Sequence, residues 1–493
     1  MNGEKLRRYP WYAVLLAVIP PLYFWSVATA SIDPRDVLVH VAVGVAIAAG
    51  ALAFLSRRLD EGRAGLAASL IVVGLTWPFH PVVALVLPLV GVPLLLILRP
   101  APGKPGLQSM SVFLNGLTLT TTATSLVALL LFFASRSPAT PVPKPVRLES
   151  KSRPDVWWIV LDGLSRGDWL ERRYGVEDVL GPGLEKRGFQ VARAARANFP
   201  QTLYVVASTL NLDYVQTTQG QPEVSREEAN ALLGANIVAT TFRNAGYRTV
   251  FWPGGYHRLD PGLDRVQTAS FLPTEFHLKS MSRWPPVGIW SMVTGRSLSA
   301  IIRHRFSVQT LSSIRGVSGG PPVFNFLHVV APHPPYVIGA TGEVAAAGNA
   351  DTIVDGSVWA EANPGVSYRD GYAGQATWLQ PQVLAAVDRI LTPGARPAVI
   401  VVCSDHGSGL DLDWDRLPRE ALSDRMSTFW AVYLPGGASR KAPESISTVN
   451  TFRYVFDEVF GTSMGLLPDR SYWQTWERPE KLIDVTGMVH EPK

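Results

Sequence analysis

One cysteine, Cys403, stands among 493 residues, which excludes an intrachain disulfide framework in any compartment. Charge is also scarce. Asp, Glu, Lys and Arg make up 17% of the chain against 47% hydrophobic residues, a balance more apolar than that of a soluble enzyme. The net charge is +5, from 45 basic and 40 acidic residues. No stripe of Lys and Arg interleaved with aromatics accompanies it, so the excess points to membrane topology rather than to nucleic acid. No internal repeat is visible. The first apolar run lacks a small-residue cleavage site and is followed by others, so it reads as a retained span rather than a signal peptide.

What the chain does have is long apolar runs, at about 11–30, 37–55, 64–77, 82–98 and 112–134. Lys5, Arg7 and Arg8, then Arg57, Arg58 and Arg63, then Arg99 and Lys104 fall on alternate loops. Of the two intervening loops, one holds Arg35 and the other no basic residue. That pattern predicts five spans with the amino terminus inside, which sends everything after position 134 outside. The third run is short, and Pro78, Phe79, His80 and Pro81 would form a tight hairpin after it. Four spans are therefore the alternative, and they would return the rest of the chain to the cytoplasm. The charges favour five. His40 and His80, in or beside spans, read as packed or interfacial. The expected layout is an N-terminal multi-span α-helical membrane domain (1–134), a Pro- and Ser-rich linker (135–153), a large extracytoplasmic domain (154–480) and a tail (481–493), in a cell (inner) membrane.

In the large domain, apolar strand candidates at 156–161, 247–252, 323–329, 398–403 and 429–434 alternate with helical spacing at 227–245 and 376–391. Such alternation predicts an α/β domain with a central, mostly parallel sheet flanked by helices. In such sheets reactive groups collect just past the carboxyl ends of the strands. The segment 398–407, AVIVVCSDHG, delivers Asp405 and His406 there, a hard oxygen beside a borderline nitrogen. The plain alternative is a helix cap by Asp405. The strand VWWIVL delivers Asp162 in the same way, with a turn before Gly163 as its alternative. Two carboxylates and one imidazole leave a divalent metal short of a ligand, a position that a nucleophile or substrate oxygen can fill.

In 198–212, NFPQTLYVVASTLNL, Thr202 falls at a helix start. There a hydroxyl sits in a positive field beside backbone amides that suit phosphate or sulfate oxygens. It reads equally as a plain N-cap, and Ser165 and Ser208 are rival hydroxyls. In FLHVVAPHPPY, His333 lies in a stiff Pro-rich loop and suits protonation of a leaving oxygen, while His328 reads as packed or supporting. Arg166 is placed to meet an anion or to make a surface ion pair. Tyr372, Gln375 and Trp378 are weaker candidates to line the pocket.

These motifs in this order resemble the alkaline phosphatase/sulfatase superfamily. Within it the layout is similar to the membrane-anchored branch, the lipoteichoic acid synthases and the phosphoethanolamine and phosphoglycerol transferases. The resemblance implies Asp162, Thr202, Asp405 and His406 as metal ligands, Thr202 also as covalent nucleophile, and His333 as a contact of the transferred group. Arg166 and His328 join His333 as candidate substrate contacts. Family members use Zn, Mn, Mg or Ca. One ion is expected here, because no further histidine lies between His406 and His490. Formylglycine chemistry is not expected, since Leu-Tyr-Val-Val follows Thr202 and Cys403 lies within a strand. Asp162 departs from the closest transferases, which tend to have Glu at that position. The run 447–473 also resembles the family and is expected to pack a helix on the sheet.

Three functions follow as expectations. The first is metal-dependent transfer of a phosphate-linked group, with membrane lipids and an envelope glycan or phospholipid donor as partners. The second is hydrolysis of a sulfate or phosphate ester. The third is an inactive membrane-tethered scaffold, which separation of the motif residues by more than about 8 Å would favour, metal–ligand bonds being roughly 2.0–2.6 Å.

Overall fold

The computed structural model describes residues 9–27, 34–76, 81–97, 108–134, 143–150, 152–216, 224–256, 259–269, 274–282, 284–345, 348 and 350–489. Lys5, Arg7, Arg8, His80, Arg99, Lys104, linker positions 135–142 and 151, and tail positions 490–493 lie outside the described residues. In chain order the helices used below begin with α1 (Tyr12–Val27), α2 (Pro34–Leu55), α3 (Glu61–Thr76), α4 (Pro81–Ile97) and α5 (Gln108–Ala134). They continue with α6 (Thr202–Asn211), α7 (Arg226–Gly234), α8 (Ile237–Asn244), α9 (Glu275–Ser282) and α10 (Pro285–Thr294). The last are α11 (Tyr368–Ile390), α12 (Arg419–Met426) and α13 (Thr451–Phe460). The main strands are β1 (Asp155–Leu161), β2 (Gln190–Val191), β3 (Arg248–Trp252), β4 (Arg265–Val266), β5 (Val323–Val329), β6 (Ala398–Cys403) and β7 (Trp430–Tyr433).

The chain divides into two units, Met1–Pro138 with Glu275–Ser299, and Ala139–Thr274 with Ala300–Lys493. A contiguous domain at 154–480 was the expectation; α9 and α10 group instead with the helical unit, and the described linker and tail residues, 143–150, 152–153 and 481–489, group with the sheet. The physical reason lies in Phe276, which is buried in a cluster with Leu22, Val37 and Leu129 of α1, α2 and α5.

In the helical unit, α2 and α5 contain stretches, Val37–Leu55 (19 residues) and Met110–Leu131 (22 residues), long and apolar enough to cross a membrane. Small residues let the helices approach: Ala13, Ala64, Ala67 and Ala68 are buried together with Leu52 and Leu55. The Asn115 side chain accepts from the Tyr12 amide at 2.7 Å and donates to the Tyr9 carbonyl at 2.7 Å, tying the start of α1 to α5.

In the second unit a seven-stranded sheet runs β2-β7-β6-β1-β5-β3-β4. The pairs β1–β5, β1–β6, β3–β5 and β3–β4 are parallel, whereas β6–β7 and β2–β7 are antiparallel. Every residue of β1 and β6 is buried, as a strand covered on both faces requires. Alternation along β1 sends Val156, Trp158 and Val160 into one core and Trp157, Ile159 and Leu161 into the other. α13 closes the first core, with Phe452 edge-on to Trp158 at 5.3 Å, the helix on the sheet expected of the carboxyl-terminal run. α11 closes the second core with Tyr372, Ala376, Leu379 and Val383.

Helical spacing at 227–245 predicted one helix, but the structure makes two. Asn236 breaks it: its side chain accepts from the Ala239 amide at 2.8 Å as the N-cap of α8. Cys403 receives the Trp158 indole N–H at 3.2 Å, and burial pushes its thiol up to about 12.

Candidate active site

Three parallel strands build the site. β1 lies between β5 and β6, and the register sets Val160 level with both His328 and Cys403. Asp162 and Asp405 each follow two residues beyond that level, so the parallel register brings their carboxylates to one edge. Gly163 turns the chain with φ +75, a conformation that suits glycine, and its amide donates to Asp405 Oδ1 at 3.2 Å.

The ligand atoms of Asp162, His328 and Asp405 lie within 4.8 Å of one another, all buried. His328 Nε2 stands 3.2 Å from Asp162 Oδ2. It is off line for a hydrogen bond, and both ring nitrogens lack one. His406 Nε2 stands 3.6 Å from Asp162 Oδ1 and 3.4 Å from Asp405 Oδ2. His406 Nδ1 is 2.9 Å from the Gly407 carbonyl, which can only accept, so Nδ1 carries the proton and the Nε2 lone pair faces the carboxylates. The Thr202 hydroxyl lies 3.3 Å from that Nε2, on the first residue of α6.

Charge follows this geometry. Burial alone would raise the Asp162 carboxyl, but the charge of His333, the close approach and charge of His328 and the charge of His406 hold it below the usual carboxylate range. Burial and the nearby Arg425 guanidinium lower His406, against the pull of the carboxylates, and so favour its neutral ring. His333 is raised: burial works against its charge, and Asp162 and Asp355 outweigh burial.

The motif residues separate clearly. Asp162, Thr202, Asp405 and His406 come together. His328, read as packed or supporting and as a candidate substrate contact, stands with them, beside Asp162. His333 is adjacent: its amide donates to the Asp162 carbonyl at 3.1 Å, and its ring centroid is 6.2 Å from that of His406. Of the two readings of Arg166, an anion contact or an ion pair, the structure shows an ion pair: Arg166 is buried and bonded to both oxygens of Asp168 at 2.7 and 2.9 Å and to the Ala195 carbonyl at 3.1 Å.

The rival hydroxyls are spoken for. Ser165 Oγ donates to Asp424 Oδ1 at 2.5 Å, and Ser208 Oγ accepts from the Val215 amide at 3.2 Å. Of the plain alternatives, the turn at Asp162-Gly163 is present, closed by the Leu164 amide on the Leu161 carbonyl at 3.2 Å, whereas Asp405 precedes no helix start and the N-cap of α6 is Gln201. Tyr372 and Gln375 brace loops: the Tyr372 hydroxyl donates to the Gly163 carbonyl at 2.8 Å, and Gln375 donates to the His333 carbonyl at 3.2 Å.

Two residues that the sequence did not reveal complete the cluster. Arg425 donates to His406 Nε2 at 3.2 Å and to the Pro200 carbonyl, and it pairs closely with Asp355. Asp355 in turn stands 3.6 Å from His333 Nε2. Neither lies beside a strand-end motif. Behind them Asp424, fully buried, accepts from Ser165, Tyr174 (2.7 Å) and Arg173 (3.0 Å), while Ser165 Oγ accepts from the Ser408 amide at 3.1 Å. That network joins the loop after β1 to the loop after β6.

The residues fit a divalent ion on the evidence of unpartnered atoms. Asp162 Oδ1, Asp405 Oδ2 and both His328 nitrogens are buried without a hydrogen-bond partner, an expensive arrangement unless a cation satisfies them.

No family model and no curated protein matches this chain. Several solved structures are similar to it. For the C-terminal periplasmic domain of EcEptC from Escherichia coli, in complex with Zn, identity is 12% and TM-score 0.41, covering 69% of this chain and 96% of that one. For lipooligosaccharide phosphoethanolamine transferase A, an integral membrane protein from Neisseria meningitidis, the figures are 11% and 0.40, covering 92% and 94%. For a putative sulfatase from Bacteroides thetaiotaomicron they are 12% and 0.40, covering 66% and 78%.

Proposed function

We propose that this chain is a membrane-anchored, metal-dependent enzyme that transfers a phosphate-linked group of the phosphoethanolamine or phosphoglycerol type between envelope lipids or glycans, through Thr202. The observation that carries the reading is the Thr202 hydroxyl, buried at a helix start and 3.3 Å from a His406 nitrogen that faces the unpartnered oxygens of two buried carboxylates, Asp162 Oδ1 and Asp405 Oδ2. Asp162, Asp405, His406 and Thr202, with His328 beside Asp162, would hold one divalent ion, and that ion would lower the pKa of the hydroxyl and stabilise charge developing on the transferred group.

This chain's own residues do the rest. α6 turns its amino-terminal amides toward the same place, where they favour an anion. Arg425, held by Asp355 and the Pro200 carbonyl, fixes a positive charge beside His406. His333, its Nδ1 proton given to the Pro334 carbonyl at 2.6 Å, leaves Nε2 to carry a second proton. In the proposed reaction the Thr202 oxygen bonds to phosphorus as the bond to the donor's alcohol breaks. The Thr202 proton passes to solvent water, and His333 supplies one to the departing oxygen. A second alcohol then displaces Thr202 by the reverse steps. Close approach of the motif residues, at 3.2–3.6 Å, speaks against the scaffold reading.

The test is mass spectrometry of peptides from the 198–226 region of protein purified from its native membrane, beside elemental analysis. The expected result is one divalent metal per chain and a phosphoryl-containing mass on Thr202 that Thr202→Ala lacks. A metal-free protein with an unmodified Thr202 would sink the reading. Water accepting the group instead of an alcohol would give the hydrolase, distinguished by turnover of a soluble diester without lipid.

A further inference from the structure

The segment from Glu275 to Ser299 lies in sequence between β4 and β5, two strands of the sheet, yet it belongs to the helical unit. α9 enters that unit through Phe276, buried with Leu22, Val37 and Leu129 and edge-on to the His40 ring at 4.7 Å. α10 then packs along α4. Its ten residues, PPVGIWSMVT, include no charged side chain. Pro285 is buried and Val287 and Ile289 are half-buried, but the apolar residues at the far end of α10 are turned outward. Val293 is 80% exposed and Met292 62%, with Trp290 and the N-cap Trp284 also exposed. These are large apolar groups on a ten-residue helix whose neighbour α4 exposes Val86, Leu89, Val90 and Leu94 in the same unit. The covering required is therefore continuous with that required by α4. Charge is confined to the flanks: Lys279 in the last turn of α9 stands 3.7 Å from Glu275 in its first turn, and the exposed Arg296 lies just beyond α10.

We propose that α10, with Trp284 at its start, is seated in the lipid bilayer as an interfacial helix, so that the chain of the α/β unit returns to the membrane a second time after the linker. Two tryptophans, an uncharged apolar face and flanking cations are the chemistry that a phospholipid surface takes: indoles at headgroup level, aliphatic groups below, and Lys279 and Arg296 among the phosphates. The occupant of this face is the bilayer, not a second copy of the chain. The proposal rests on the membrane reading of the helical unit, and the test separates the two.

A fluorophore sensitive to polarity is attached at Met292→Cys or Val293→Cys in the full chain, reconstituted in vesicles of phosphatidylethanolamine and phosphatidylglycerol. Cys403, buried, takes no label in the parent protein. Leu119→Cys, on the exposed face of α5, reports on the spans, and Lys441→Cys reports on water. The expected result is blue-shifted emission at 292 and 293, lost when the vesicles carry spin-labelled lipid and insensitive to aqueous iodide. Iodide quenching at 292 and 293 equal to that at 441 would overturn the proposal. So would protection from both quenchers, which would mean a protein covering. If 119 meets lipid while 292 and 293 do not, the membrane reading stands and the interfacial helix falls. If 119 itself meets water, both fall.

Discussion

Asp355 sits between two cations, with Arg425 against one oxygen and His333 Nε2 3.6 Å from the other. Burial disfavours its charge, but Arg425 and His333 together hold its carboxyl below the usual range. The same pairing is one reason His333 is raised. A histidine with a raised pKa keeps its proton to higher pH than a free imidazole does and loses it as pH climbs through the raised value. In the proposed reaction the proton donor disappears on the alkaline side. Removing the Asp355 charge takes away one of the three influences that raise His333, the others being Asp162 and the Pro334 carbonyl. Asp355→Asn is therefore expected to move the alkaline limb of the pH–rate profile for a soluble phosphodiester probe to lower pH, with the acid limb less affected. A limb that stays in place would remove His333 from the donor role.

Among elements, the loop after β6 depends on how closely α12 folds back over it. The Gly407 amide donates to the Arg425 carbonyl at 2.7 Å, and a Cβ at Gly407 would fall 2.0 Å from the Asp424 carbonyl oxygen. That neighbour is backbone and cannot swing aside. Gly407→Ala is expected to destabilise the α/β unit by about 1–3 kcal/mol, the usual range for overpacking. It should also weaken metal binding, because the loop that shifts carries Asp405 and His406. Chemical denaturation and metal titration check this, and a variant that melts and binds like the parent would show the contact to be slack.

The same closeness explains what was legible. Asp162, Asp405 and His406 could be read because each follows an uninterrupted apolar strand, and parallel neighbours must deliver such ends to one edge. Arg425 could not. Its helix buries every residue from Ala421 to Met426, so the sequence ALSDRM shows no face from which a direction could be read. Asp355 lies in a loop region without motif, and His328 looked like a strand residue until the register placed it level with Val160. The break at Asn236 was visible in principle, since Gly234 and Asn236 supply a stop and a cap between the two helical stretches.

At the scale of the whole molecule, hydrophobic run length revealed the helices of the helical unit but not its α9–α10 part, because ten uncharged residues also suit a buried helix or strand. The α/β unit is likewise assembled from distant pieces. The candidate ligands come from β1 (Asp162), α6 (Thr202), β5 (His328) and β6 (Asp405 and His406), so the cluster exists only when the sheet is closed. An ion that binds there and not to the unfolded chain adds stability by mass action, about 2.7 kcal/mol when its concentration is a hundredfold above its dissociation constant. For a unit of this size that corresponds to a melting shift on the order of 5 °C. Chelation is therefore expected to lower the melting midpoint of the α/β unit by that amount and to speed amide hydrogen exchange in β1 and β6, leaving α2 and α5 unchanged. Asp405→Asn, which removes a ligand charge, should melt near the chelated parent and respond little to chelator. A chelator effect of equal size in that variant would mean that the ion sits elsewhere, and the assignment of Asp162, Asp405 and His406 as its ligands would fail.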